Sequence, residues 1–321
     1  MKRAIVAGIF AMTGVVCPQA HAADYPSQSI RIVVPFAPGG GADLPARLLA
    51  EKLSAAWRQA VVVENRPGAT GTIGESHVAR ADADGYTVLL ATPSSHTIGP
   101  QLIKNLSFDP LKDFKPAILF GWVPNVLVVN PAVKATTLDD LIALAKSKPG
   151  ALNYSSSGDG SSIQLTTEIF AQKAGVKLTQ IPYAGVSPAV TAVMAGQVDM
   201  MFAPAALALP QVRAGKLRQL TSLPAANDAK IDWSTLSSPE APHFYSAGWL
   251  GFLFPAKTPD GVVQKWQSEI ARIIQSPDVQ EKFRQMSLIP STISGEEFEK
   301  LIRSDYTQSS RILKELRIDP S

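Results

Sequence analysis

Three consecutive glycines, Gly39-Gly40-Gly41, follow Val34-Pro35-Phe36-Ala37-Pro38 and lead into Asp43 at the start of a helix-like segment. Glycines at such a junction leave backbone N–H groups uncovered at a helix N-terminus, where the macrodipole favours an anion. Asp43 is expected to cap that helix, and Pro45 suits its first turn. A tight turn that uses glycine only for positive φ would need nothing more, but similar loops recur. Gly68-Ala69-Thr70-Gly71-Thr72-Ile73-Gly74 follows "VVVENRP", Thr92-Pro93-Ser94-Ser95 follows "YTVLLA", and Ser155-Ser156-Ser157-Gly158-Asp159-Gly160-Ser161-Ser162 precedes a long helical pattern. Hydroxyls and backbone amides are what these loops share, a chemistry suited to cradling a carboxylate without a formal counter-charge. Placed at strand C-terminal ends, the four loops are expected to converge on one cleft, the crevice in which open α/β sheets bind ligands.

Catalytic patterns are poorer matches. None of the loops fits G-x-G-x-x-G or G-x-x-x-x-G-K-[ST], and no lysine is placed to reach a phosphate, which argues against nucleotides. Ser94-Ser95-His96 invites a serine-hydrolase reading, but a G-x-S-x-G elbow is absent. Outside the leader the histidines are His77, His96 and His243, without H-x-x-x-H or H-E-x-x-H spacing, so neither a metal nor any other cofactor is expected. Trp122, Phe202, Tyr245 and Trp249 are expected in the core, whereas Tyr183, between a strand and a helix in "PYAG", is placed to overhang a cleft.

The elements that must carry these loops follow an α/β rhythm. Short β-branched runs alternate with amphipathic segments: "IRIVVPF" before "LPARLLAEKLSAAW", "YTVLLAT" before "HTIGPQLI", "VLVVN" before "TLDDLIALAKSK". The alternation continues through "LNYSSSG", "LTQIPYAG" and "VDMMFAP", each leading into a helical pattern, and fades between Pro224 and Ser246. "GWLGFLF" then reads as a buried strand, and the C-terminal part as helices, with Ser294 and Glu297 spaced as a capping box. The 321 residues suggest two lobes.

An export signal is expected over residues 1–22: Lys2 and Arg3, an apolar run from Ala4 to Val16, and Ala20-His21-Ala22 as the cleavage site near Ala22. The single cysteine, Cys17, lies inside it, so the mature chain would carry no thiol chemistry. Of 30 basic residues two lie in the leader, against 27 acidic ones, leaving a nearly neutral chain without a basic stripe. That balance disfavours nucleic acids and anionic membrane surfaces as partners.

Taken together and in order, "VPFAPGGGADLPAR", "VVVENRPGATGTIG", "ADGYTVLLAT", "KPGALNYSSSGDGSS", "IPYAG" and "AGQVDMMF" resemble the substrate-binding proteins of tripartite tricarboxylate transporters, the Bug family of periplasmic receptors. The resemblance implies a two-lobed periplasmic binding protein (Venus-flytrap) fold, each lobe a mixed sheet flanked by helices. Lobe 1 would comprise residues 23–124 and 248–321, lobe 2 residues 125–247. It further implies a monomeric, non-enzymatic periplasmic receptor that captures a small organic carboxylate and delivers it to membrane transporter subunits. Ligand contacts carry over onto Phe36, Gly39 and Gly40 with Asp43, onto Ala69, Thr70 and Gly71, onto Thr92 and Ser94, onto Ser157, Gly158, Ser161 and Ser162, and onto Tyr183. The family phrase "MFDNLP" becomes Met201-Phe202-Ala203-Pro204 here, so Ala203 replaces an acidic group that could pair with a ligand amine, and a dicarboxylate or aromatic carboxylate is expected instead. The phrase around Tyr245 and Trp249 also departs from the family pattern. A sensor receptor for a membrane kinase would use the same pocket, and an exported hydrolase using Ser94 or Ser95 with His96 is the enzymatic alternative.

Overall fold

The computed structural model describes residues 25–221 and 246–315, with 317, 318 and 320. The expected leader with Cys17, His243 and the connecting region with Tyr245 lie outside them. Strand β1 (Ile30–Val34) is followed by α1 (Asp43–Trp57), β2 (Val61–Asn65), α2 (Thr72–Ala79) and β3 (Thr87–Ala91). The long strand β4 (Phe114–Val129) leads to α3 (Leu138–Ser147), β5 (Asn153–Ser156), α4 (Ser162–Ala174), β6 (Thr179–Pro182), α5 (Val186–Met194), β7 (Met200–Pro204), α6 (Ala205–Arg213) and β8 (Arg218–Gln219). Next come β9 (Ser246–Pro255), α7 (Asp260–Ile274), α8 (Pro277–Gln285), β10 (Ile289–Ser294) and α9 (Gly295–Glu315).

β4 belongs to two sheet halves. Over residues 114–125 it pairs antiparallel with β9, and over 118–122 also with β10; over 125–129 it pairs antiparallel with β7, and at its end with β8. The halves therefore run β2-β1-β3-β9-β4-β10 and β8-β4-β7-β5-β6. β3 is antiparallel to β9, and β1 and β2 are parallel to β3, so all three run with β4 toward the crossing. β7 runs back against β4, with β5 and β6 parallel to it. The C-terminal ends of β1 to β3 thus face those of β5 to β7 across the crossing, and two lobes with opposed loop sets result.

Helices cover both faces of each half, which explains why the strands read as near-continuous apolar runs. In β1, Ile30, Ile32 and Val34 pack with α1 and α7, while Val33 packs on the opposite face with Val78 of α2 and Phe298 of α9. Trp266 of α7 is fully buried, with Phe252 and Phe254 edge-on at 5.3 and 5.4 Å. In the second half, Met201 and Ala203 face α5 and α6, whereas Met200 and Phe202 face α3 and Phe170 of α4. Trp122, Phe202 and Trp249 are core residues, as expected.

Two local expectations are corrected. "HTIGPQLI" forms no α-helix: residues 93–98 make a π-turn and Gly99–Leu102 a 3-10 turn, because Pro100 supplies no N–H and constrains the residue before it. Ser294 does not open a capping box. It is the last residue of β10, paired with Ile118, and Gly295 at φ +55 starts α9. A capping box is formed instead by Thr137 and Asp140 at α3. The far end of α9 crosses to the second half, where Ile312 and Leu313 pack with Leu165 and Ile169 of α4.

Candidate functional site

The four loops are contiguous in space, and glycines make this possible. A Cβ at Gly74 would lie 3.0 Å from Pro35 Cβ, and one at Gly71 only 2.5 Å from Ser95 Cβ and 3.3 Å from Pro35 Cβ. The second loop is thereby packed on both the first and the third. Ser94 Oγ donates to Ser162 Oγ at 3.1 Å, which joins the third loop to the fourth. Tyr183 closes the series, its N–H donating to Ser156 O at 3.0 Å.

In the first loop Asp43 has a different part from the expected one. The residue before the helix is Ala42, which makes no side-chain cap, and Asp43 is the first helical residue, almost fully buried. Its Oδ2 accepts from Gly39 N–H and Arg47 Nε, both at 2.8 Å, and its Oδ1 accepts from Asn65 Nδ2 at 2.8 Å. Burial by itself would raise this carboxyl, but the bonds from Arg47, Gly39 and Asn65 outweigh it and hold Asp43 below the usual carboxylate range. Asp43 is therefore a brace for the glycine loop rather than a helix cap, and its carboxylate is committed. Asn65 also donates to the Phe36 carbonyl at 3.0 Å, while the half-buried Phe36 ring packs on the first-lobe core. Asn65 and Arg47 escaped the sequence reading; a polar residue ending the β-branched run of β2 was their only signal.

The second loop stores backbone strain. Gly68, Ala69, Thr70 and Gly71 all have positive φ, at 125, 46, 54 and 99°. For a β-branched residue such as Thr70 this is a rarely populated region, of the kind that clusters at ligand clamps. Ala69 and Thr70 are exposed and Gly71 buried.

In the third loop Thr92 is buried and caps the π-turn: its Oγ1 accepts from Ser95 N–H at 3.2 Å, while Thr92 N–H donates to Ser95 Oγ at 3.2 Å. His96 and Glu75 are both buried, with Nδ1 and Oε2 3.0 Å apart, and burial pushes the Glu75 carboxyl up against the opposing influence of His96 and Ser95. Neither Ser94 nor Ser95 is hydrogen-bonded to His96 among the described residues. The nucleophile–base contact that a hydrolase requires is not assembled.

In the fourth loop Ser161 Oγ caps α4 by accepting from Gln164 N–H at 3.3 Å. Ser157, Gly158, Ser162 and Tyr183 are half-buried, and a Cβ at Gly158 would lie 3.7 Å from the Tyr183 carbonyl oxygen. Ala203 is not part of this surface. Fully buried, it points with Met201 into the α5–α6 core because alternation along β7 leaves it no other face.

The N–H groups of Gly39, Asp43 and Leu44 bond within the first loop, and those of Gly71, Ser95, Gly158, Gly160 and Ser161 within the others. Those of Gly40, Gly41, Ala42, Ala69, Thr70, Ser94, Asp159, Ser162 and Ile163 have no acceptor among the described residues. No Lys or Arg occurs in the loops. The arrangement can hold an anion by backbone dipoles and hydroxyls from two opposed sides. No group of three metal-ligating side chains occurs among the described residues.

Comparison with known proteins agrees with this geometry. Residues 45–318 match the tripartite tricarboxylate transporter family receptor model. The chain is 32% identical to Protein BugT of Bordetella pertussis over 312 residues, 97% of this chain and 96% of that one. Among solved structures it is similar to R. palustris Rpa4515 with adipate, at 31% identity and a TM-score of 0.79, covering 93% of this chain and 100% of that one. It is also similar to MatC from Rhodopseudomonas palustris with bound malate, at 25% identity and a TM-score of 0.72, covering 90% and 100%. The chain therefore belongs to the tripartite tricarboxylate transporter receptor family, the Bug-type periplasmic solute-binding proteins.

Proposed function

We propose that this receptor captures a small organic carboxylate lacking an amine, a dicarboxylate or an aromatic acid, between its lobes and delivers it as a monomer to tripartite-tricarboxylate-type membrane subunits. The observation that carries the proposal is the facing of two sets of strand ends across β4, with uncommitted N–H groups and hydroxyls on both sides and no cation among them. Gly40, Ala69, Thr70, Ser94, Ser157, Ser162 and Tyr183 would meet the ligand. Phe36, Gly39, Asp43, Gly71, Thr92, Gly158 and Ser161 would shape the loops that present them. The buried carboxylate of Asp43 already accepts from Gly39, Arg47 and Asn65, which disfavours its pairing with a ligand amine. The adipate and malate in the two similar structures support a dicarboxylate.

The lobes in this proposal are residues 23–124 with 248–321, and 125–247, hinged where β4 passes from β9 to β7 at Asn125. Residues 1–22 would direct export and be removed. A thermal-shift screen of the mature chain against aliphatic dicarboxylates, tricarboxylates, aromatic acids and amino acids, followed by calorimetry, tests the ligand class, since a ligand that binds only the folded state raises the melting temperature. Binding of amine-free acids is expected; tight binding of amino acids alone would overturn the class.

A further inference from the structure

Two glutamines outside the expected site form an amide chain beneath its fourth loop. Gly160 N–H donates to Gln164 Oε1 at 2.6 Å, and Gln164 Nε2 donates to Gln180 Oε1 at 2.8 Å. Gln180 Nε2 in turn donates to Ser156 Oγ at 2.8 Å and reaches Asp159 Oδ1 at 3.3 Å. Ser156 Oγ accepts from Gly158 N–H at 3.3 Å and donates to Gly158 O at 3.2 Å. Both loop glycines are thus gripped from behind, one through Ser156 and one through Gln164. Gln164 is buried in the first turn of α4, and Gln180 stands on β6 beside Tyr154 of β5.

Gly158 and Gly160, at φ +118 and +71, have the conformational freedom that makes an ungripped loop costly to order on binding. With their N–H groups held from behind, the donors of Asp159, Ser162 and Ile163 remain. The amides do this without adding charge, which a carboxylate ligand would feel at close range. All of these contacts lie within the second lobe, so they exist whether or not the lobes close.

Resting on the receptor reading above, we propose that Gln164 and Gln180 are positioning residues of the carboxylate site, preorganising the fourth loop so that its free N–H groups face the cleft. A purely structural pair would lower stability and leave affinity alone. The test uses the mature protein and its Gln164→Met, Gln180→Met and Gln164→Glu variants. Amide hydrogen exchange at Gly158 and Gly160 is read without ligand, and adipate affinity by calorimetry. Gln164→Met is expected to speed exchange at Gly160, and Gln180→Met at Gly158, at least about tenfold, and each to weaken adipate about tenfold, on the scale of one lost hydrogen bond. The double variant should lose less than the product. Gln164→Glu keeps an acceptor for Gly160, so its exchange should stay near wild type while the added charge weakens adipate. Unchanged exchange, or unchanged affinity with a lowered melting temperature, would overturn the proposal. Failure of the wild type to bind adipate or any other carboxylate would strike the receptor reading instead, and the exchange data would still decide whether the amides hold the loop.

Discussion

Ser94 Oγ and Ser162 Oγ lie 3.1 Å apart, a hydrogen bond between hydroxyls that start from opposite lobes. One belongs to the loop after β3, the other to the first turn of α4, so their separation reports how far the lobes stand apart. A net hydrogen bond of this kind contributes about 0.5–1.5 kcal/mol. Ser94→Ala and Ser162→Ala should each weaken carboxylate binding severalfold, and a double-mutant cycle by calorimetry should show coupling of that size. Strict additivity would mean that the bond has no part in closure.

Asp43 predicts a pH-dependent stability difference. Its folded carboxyl lies below the ordinary range, so its stabilisation is complete above the unfolded value of about 3.9 and is lost as pH falls through the lowered folded value. Asp43→Asn should cost about 1–3 kcal/mol near neutral pH, by weakening the acceptance from Gly39 and Arg47. Denaturant midpoints should differ by a constant amount from roughly pH 5 to 8 and converge below roughly pH 4. A gap that persists undiminished into strong acid would show that the ionised form is not what stabilises the loop.

Thr70 at φ +54 carries a left-handed backbone penalty of about 1–2 kcal/mol. Thr70→Gly removes it, and the extra unfolded-state entropy of glycine returns about 0.5–1 kcal/mol. The variant should melt at the wild-type temperature or up to a few degrees higher, yet bind its carboxylate more weakly because a hydroxyl is gone and the amides beside it are held less rigidly. A lower melting temperature would show that the residue is not strained there.

The loops were legible because glycine and hydroxyl clusters interrupt apolar runs, and those interruptions mark strand ends wherever the strands go. Partners distant in sequence were not. The position of Asp43 at the start of α1 is visible, but Asn65 reaches it from the end of another strand, and that approach depends on β1 and β2 pairing in register from Ile30 with Val61. Gln164 and Gln180 meet only because β6 pairs with β5 beside α4. Ala203 differs for the opposite reason: the family phrase, with an acidic residue at its position, suggests the cleft, while the two-residue period of β7 turns it with Met201 into the core. The insertion of β9, from late in the chain, between β3 and β4 is likewise set by long-range pairing that no local pattern carries.

Gly160 offers a test in which steric and backbone effects separate. A Cβ there would sit 1.9 Å from Leu102 Cδ1, a side chain of the opposite lobe, and the residue would also keep φ +71. The clash involves the end of a flexible side chain, so Leu102 can turn aside at modest cost, whereas the left-handed penalty of about 1–2 kcal/mol stays wherever Leu102 goes. Gly160→Ala should therefore weaken carboxylate binding by about tenfold or more, mainly through a distorted fourth loop, with a smaller part from displacing Leu102. Introduced together with Leu102→Ala, the same substitution should recover the steric part of the loss and retain the backbone part. Calorimetry on the two single variants and the double variant measures both. Full recovery would make the interlobe contact the whole effect, and no recovery would show that the loop's own conformation sets the affinity.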